Sequence, residues 1–238
     1  MVSWPAWGGV LLLALLAGLF LYWQLIIAEG AYFGAKLVTL LYDWTAEKYN
    51  DIKEFDDGDE DFCLGRPLMA RLYGRPDTTI VDVATGTGRV ARVMLRQPNF
   101  EGRVFGVDRA ARMLAVARRD TAQYGDRVAL VQADAMALPF KSNSAPVVTC
   151  LEALEFTPSP RRSLAELVRV LQPADDATPA RGWLLTTNRI GWEARLMPGK
   201  TWRRPQLEAV LQSLSLTRVE ILPWQEIYDQ VWAQKTGN

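Results

Sequence analysis

Three aspartates and one glycine-bearing turn hold most of the chemistry this sequence can do. Asp82 sits in the apolar run Ile80-Val-Asp-Val83, directly before Ala84-Thr-Gly-Thr-Gly88. Such a turn, between a strand and a helix, lets a ligand rest on bare backbone and on the N–H groups of the helix start. Asp108 ends the next apolar run, Val104-Phe-Gly-Val-Asp108, about 20 residues past the turn, where an acid can accept both hydroxyls of a ribose. Asp134 follows the third run, where an acid can accept an exocyclic amine of a base. Each has an ordinary alternative: a tight turn, a turn residue or, for Asp108, a helix N-cap. Their recurrence at the ends of successive apolar runs points to one nucleotide-type ligand.

Two classes of enzyme compete for the turn. Gly86-Thr-Gly-Arg-Val-Ala91 fits the GxGxx[GA] form of a dinucleotide site, which makes an NAD(P)-dependent oxidoreductase the alternative reading. A pyrophosphate, however, has no use for the acid that precedes these glycines, whereas a ligand carrying an amino group and a sulfonium does. The chain also has no histidine, which removes a histidine proton relay, Ser-His-Asp and Cys-His catalysis, and histidine metal sites. Tyr32 with Lys36 and Tyr49 with Lys53 have the spacing of the short-chain dehydrogenase pair, but both precede the turn, where that family's pair follows it. A non-catalytic cofactor-binding scaffold is a third reading.

The elements that position these residues alternate. Strand-like runs at 79–83, 103–107, 127–132, 146–151 and 182–187 are separated by amphipathic stretches at 89–96, 109–123, 161–171 and 205–214. Apolar strands spaced by helices predict an α/β fold with a parallel sheet covered on both faces. The tail, 217–222 and 226–234 joined through Pro223-Trp224, predicts an antiparallel hairpin at the sheet edge. The expected fold is a doubly wound, mostly parallel seven-stranded sheet ending in that hairpin. Upstream, Lys36 to Phe55 has helical spacing and either lies on a membrane or covers the active site. The acidic run Asp56 to Asp61 lacks the DxDxDG order of a calcium loop and reads as a solvated linker. The expected division is 1–33 as an anchor, 34–78 as cover and linker, and 79–238 as the main domain.

Val10 to Ala28 is almost unbroken hydrocarbon, about 28 Å long as a helix, close to the apolar thickness of a bilayer. Trp4 and Trp7 precede it, and Tyr22, Trp23, Tyr32 and Phe33 lie near its far end, as interfacial aromatics do. Met1 to Trp7 lacks the charged start of a signal peptide, so a retained single-pass transmembrane helix is expected. Lys36 and Lys48 follow it, which places the main domain in the cytoplasm. Lys+Arg equals Asp+Glu, leaving no basic footprint for nucleic acid. Cys63 and Cys150 are in no CxxC pattern and read as free thiols.

From about Thr79 to Lys235 the chain resembles the class I S-adenosylmethionine-dependent methyltransferases, of the small-molecule type 11 kind. Val81-Asp-Val-Ala-Thr-Gly-Thr-Gly88 is similar to that family's D-x-G-x-G-x-G motif, with Ala84 standing for the first glycine. Phe105-Gly-Val-Asp108 resembles its second-strand acid, Ala133-Asp-Ala-Met-Ala-Leu-Pro-Phe140 its D-A-x-x-L-P-F stretch, and Leu164 to Pro173 its helix before the fifth strand. Ser144-Ala-Pro-Val-Val departs from the aromatic-acid pair usual there. The resemblance implies S-adenosylmethionine as cofactor, with Asp82, Ala84, Thr85, Gly86 and Gly88 at its methionine moiety. It implies Asp108 with Arg109 at the ribose, Asp134 and Ala135 at the adenine, and Leu151 approaching from the fourth strand. Methyl transfer is then an in-line displacement onto a small-molecule or lipid-like acceptor at the membrane surface. If a general base is used, Glu152 and Glu155 are the first candidates; substrate hydrogen bonding or solvation is their ordinary role. The segment Arg189 to Arg204, rich in arginine and tryptophan, either meets an anionic head group or is a solvated loop.

Overall fold

In the computed structural model, which describes residues 4–174 and 181–237, the five apolar runs form β1 (Ile80–Val83), β2 (Val104–Asp108), β3 (Val128–Gln132), β4 (Val147–Cys150) and β5 (Trp183–Arg189). They pair in parallel. The tail adds β6 (Leu216–Trp224) and β7 (Tyr228–Lys235), both antiparallel to their neighbours. The order is β3-β2-β1-β4-β5-β7-β6. Every residue of β1, β4 and β5 is buried, which is why these strands open on unbroken apolar runs rather than alternating, with polar residues gathered towards their carboxyl ends. Pro223 and Trp224 belong to β6 instead of the connection. Proline costs no ladder hydrogen bond on an outermost strand, and β6 is one.

The amphipathic stretches become α6 (Arg89–Leu95), α7 (Ala111–Asp120), α8 (Pro160–Val170) and α10 (Arg204–Ser213). The apolar sides of α8 and α10 close one cluster of buried side chains against the sheet, around Val148, Leu167 and Leu184, and that of α6 another, around Ile80, Met94 and Trp232, while Met113 and Val116 of α7 pack with Ala46. The chain runs outward from β1 through β2 to β3, then returns to β4 on β1's other side. This reversal opens a crevice at the carboxyl ends of β1 and β4, where ligands of such sheets bind.

The N-terminal quarter is helical. α1 (Trp4–Tyr22) runs into a wide helical turn, Trp23–Ile27. The helix expected over 36–55 is broken into α2 (Ala35–Thr45), a tight turn at Ala46–Lys48 and α3 (Tyr49–Lys53). Ala46 is buried at the break, and Glu54 closes it in left-handed backbone. The acidic run, expected as a solvated linker, is exposed from Asp56 to Asp59 and takes helical form. The Asp56 carboxylate accepts from the N–H groups of Gly58 and Asp59 and so starts α4 (Asp57–Glu60), which leads by a wide turn into α5 (Arg66–Arg71).

Trp7–Ile27 is long and apolar enough to cross a bilayer. A helix of the core would be covered, yet Leu11 and Leu13 are each 69 % exposed. Only past Tyr22 does the chain meet the domain, burying Gln24, Ile27, Ala28 and Ala31. The side chain of Trp4, expected as an interfacial aromatic, lies outside the described residues.

Candidate functional site

β1 stops at Val83 and the chain turns through Ala84 (φ 56°), Gly86 (φ 54°) and Gly88 (φ 83°), all left-handed. The two glycines serve different ends. A Cβ on Gly86 would meet nothing nearer than the Tyr49 ring at 3.9 Å, so this backbone lies bare towards the ligand crevice. A Cβ on Gly88 would come within 3.3 Å of Ala117 and Thr121, so its absence lets α6 start close against α7. Ala84 holds the same conformation with a side chain, at a cost of about 1 kcal/mol.

Asp82 lies beneath the turn, 2 % exposed. The hydroxyls of Thr149 and Thr85 each donate to one of its oxygens at 2.6 Å. Burial raises its pKa to about 6 against the lowering by those two hydroxyls. It is therefore mainly a carboxylate at neutral pH, one negative charge set in apolar surroundings and suited to a cationic ligand group. Asp108 combines two roles. Its Oδ1 accepts from the N–H of Ala110 and its Oδ2 from the N–H of Gly86, both at 2.8 Å. It thus ties the glycine turn to the start of α7. Burial pushes its pKa up and those N–H groups counter it. Each oxygen keeps a second lone pair, and the residue lines the crevice. Asp134 accepts from the N–H of Met136 and from Arg109 Nη1 at 2.8 Å, so Arg109 bridges the second and third strand ends. Ala135 and Leu151 complete that wall.

The facing wall comes from the N-terminal segment. Ala35, Val38, Thr39 and Tyr42 of α2 and Tyr49 of α3 close over the crevice, with Phe156 to Pro158 beside them. Tyr42 Oη donates to Glu29 at 2.7 Å, linking this cover to the residue just beyond α1's wide turn.

Glu152, with φ 50°, stands where the two lobes of the crevice meet. Its Oε2 accepts from Lys53 Nζ at 2.8 Å and its Oε1 from Arg89 Nη1 at 2.7 Å. Burial pushes its pKa up, but the two cations outweigh that and hold it below the usual range. Arg89 also forks onto both oxygens of Glu60, at 2.7 and 2.6 Å, and lies over the Phe55 ring. This explains why the acidic run folds down: Arg89 is a buried cation at a helix start, where the helix dipole opposes it, and it requires carboxylates from elsewhere. Glu155 is buried behind this layer, accepts from Tyr228 Oη at 2.7 Å and does not line the crevice. Its pKa is raised by burial. Sequence reasoning passed over Arg89, Glu60 and Tyr42, and met Tyr49 and Lys53 only as a dehydrogenase-like pair. Only Arg89 carried a local signal, an arginine opening a helix just behind the glycines.

Residues 80–174 match a family described as a methyltransferase domain. The chain is 36 % identical over 135 residues to a demethylmenaquinone methyltransferase of Symbiobacterium thermophilum, covering 56 % of this chain and 54 % of that protein. It is 32 % identical over 140 residues to a ubiquinone/menaquinone biosynthesis C-methyltransferase of Cereibacter sphaeroides, covering 58 % and 56 %. Over the matched residues the chain is similar to S-adenosylmethionine-dependent methyltransferases of the small-molecule kind. It spans about half the length of the curated relatives it matches. Among solved structures, the [4+2]-cyclase SpnF superposes with a TM-score of 0.66 at 18 % identity, covering 86 % of this chain and 97 % of that one. The CurJ carbon methyltransferase gives 0.61 at 17 %, covering 74 % and 54 %. These two share the fold.

The match over residues 80–174 is to a methyltransferase domain and favours that reading over the oxidoreductase alternative. Of its tyrosine–lysine pairs, Tyr32 donates to the Pro198 carbonyl, and Lys53 is spent on Glu152. The family's cofactor is S-adenosylmethionine, and the residues present fit it. Bare backbone at Gly86, a buried anion at Asp82 and a second acid at the end of β2 suit a molecule with a cationic amino-acid end and a ribose.

Proposed function

We propose that this enzyme moves the methyl group of S-adenosylmethionine onto a small, lipid-like acceptor at a membrane surface. The observation that carries the reading is the two-sided crevice. Polar strand ends form one wall, while Val38, Tyr42 and Phe156 form an apolar wall continuous with the end of α1. The bare flank of α1 supports a single transmembrane span, with the domain held at the cytoplasmic face. The names of the relatives favour an isoprenoid quinone precursor as acceptor.

When bound, the sulfonium supplies an electrophilic methyl whose leaving group is a neutral thioether. The chain's own work is then alignment and exclusion of water. In this reading Asp82 and the 84–88 turn hold the methionine end, Asp108 the ribose, and Arg109 with Asp134 and Ala135 border the adenine. Glu152 is proposed to lock Lys53 and Arg89 under the cover rather than to take a proton, since two paired cations make it a weak base. Glu155 lies buried off the crevice and accepts from Tyr228, which counts against it as a base.

The test is transfer of labelled methyl from the cofactor into a host lipid extract, with mass analysis of the product. A methylated lipid-soluble product is expected. Cofactor binding with no product from any extract would leave a non-catalytic scaffold. Asp108→Ala should reduce S-adenosylhomocysteine affinity by about 100-fold in calorimetry, as loss of a doubly bonded ribose anchor requires. Unchanged affinity would remove Asp108 from the site.

A further inference from the structure

A second concavity lies next to the crevice, on the segment that follows β5. It offers about 520 Å³ of room between α9 (Gly191–Arg195) and the start of α10. Arg189, Arg195, Arg203 and Arg204 line it, with Trp202 in its wall. Two of these cations are already matched: Arg189 pairs with Glu193, and Arg204 forks onto the buried Asp229 at 2.8 and 2.7 Å. Arg195 and Arg203 are exposed and, among the described residues, have no carboxylate within 4.0 Å. Gathering unmatched guanidinium groups around one hollow is unfavourable unless an anion joins them.

The position of the hollow says which anion. The segment is the seat of the apolar helix's end. Trp23 Nε1 donates to the Leu196 carbonyl at 2.9 Å, Tyr32 Oη to the Pro198 carbonyl at 2.9 Å, and Arg189 Nη1 to the Ile27 carbonyl at 3.1 Å. Met197 packs against Ala28 and Ala31. A helix that spans the hydrocarbon and ends at Ile27 puts whatever holds that end at the depth of the lipid phosphates. At this level Trp192 is 60 % exposed and Leu196 42 %, apolar groups beside the cationic hollow. We propose that the hollow between α9 and α10 binds the phosphodiester head group of an anionic membrane lipid through Arg195 and Arg203. Trp192 and Leu196 then enter the acyl boundary beside it. The site holds the crevice's apolar wall against the bilayer, from which an apolar acceptor enters. The proposal rests on the membrane-anchor part of the function above and is independent of methyl transfer.

The experiment titrates the full chain, in a neutral detergent, with dioctanoyl phosphatidylglycerol, dioctanoyl phosphatidylcholine and inorganic phosphate, read by calorimetry. Phosphatidylglycerol should bind at least about tenfold tighter than phosphatidylcholine. The Arg195→Ala, Arg203→Ala double variant should weaken it about 25-fold, two cations at about fivefold each. Its melting temperature and S-adenosylhomocysteine affinity should stay unchanged. Arg161→Ala with Arg162→Ala, two exposed arginines at the start of α8, should leave lipid binding intact. Equal lipid binding by the Arg195, Arg203 variant overturns the proposal. So does inorganic phosphate that binds the same arginines as tightly as the lipid, because the site then takes a free anion. Carbonate extraction of cell membranes separates this from the anchor: specific lipid binding by a chain that washes off membranes upholds the head-group site and sinks the span.

Discussion

Asp82 is where stability and ligand binding pull against each other. Its pKa rises from the usual carboxylate value near 3.8 to about 6 on folding. An acid raised in this way favours the folded state fully at pH values below about 4, and the contribution is lost as pH rises through 6, amounting to about 3 kcal/mol. Asp82→Asn removes the buried charge. The apoprotein should then be more stable than the parent at pH 7.5, by no more than about 3 kcal/mol, with the gap closing towards pH 4 in denaturant melts. The same variant should bind S-adenosylhomocysteine at least about tenfold more weakly, because the ligand's ammonium loses its counter-charge. A gap that does not change with pH would contradict this account of Asp82. Glu152 behaves in the opposite way. Glu152→Gln leaves the half-buried Lys53 unpaired and the buried Arg89 with Glu60 alone, and should cost about 3 kcal/mol in unfolding free energy, chiefly through Arg89. If Glu152 only positions its partners, the acid limb of the pH–rate profile should not move. Loss of that limb would make it a base after all.

Among the elements, the strands and their polar ends were legible from sequence, while the cover was not. β1 to β5 follow from apolar runs, fully buried in β1, β4 and β5 and partly buried in β3 at the sheet edge, and the hairpin from two runs with no helix between them. The cover depends on partners far apart in the chain. Glu60 in an acidic run and Arg89 behind a glycine turn mean little separately; together they form a buried fork. The apolar spacing of 36–55 predicted a helix but not its break at Ala46, which is set by packing beside Met113 and Val116 of α7. The wide turn after α1 marks a similar division. Removing residues 1–22 takes away a helix whose side chains are largely bare, and should leave S-adenosylhomocysteine affinity within about threefold while releasing the chain from membranes. Removing residues 1–33 also strips Ala28 and Ala31 from Met197 and Glu29 from Tyr42, and should cost about 2 kcal/mol or more in stability. Equal stability of the two truncations, read by thermal melts, would show that the segment 23–33 does not brace the cover.

Over the whole molecule, sequence determined what is local or periodic. Burial on both sides dictates the apolar strands, strand ends dictate where acids can meet a ligand, and a run of hydrocarbon as long as a bilayer is thick stands out without any tertiary information. Those features were enough to set the fold and the strand-end positions of Asp82, Asp108 and Asp134, while the cofactor followed from the resemblance of the motifs around them. Only the tertiary structure decided which charges neutralise one another. It paired Glu152 with Lys53 and Arg89, enclosed Glu155 behind Tyr228, and left Arg195 and Arg203 without a carboxylate partner among the described residues. The reason is physical. A strand or helix is specified by neighbours within a few residues, but the protonation and role of an ionisable side chain depend on burial and on charges brought within a few ångströms from anywhere in the chain.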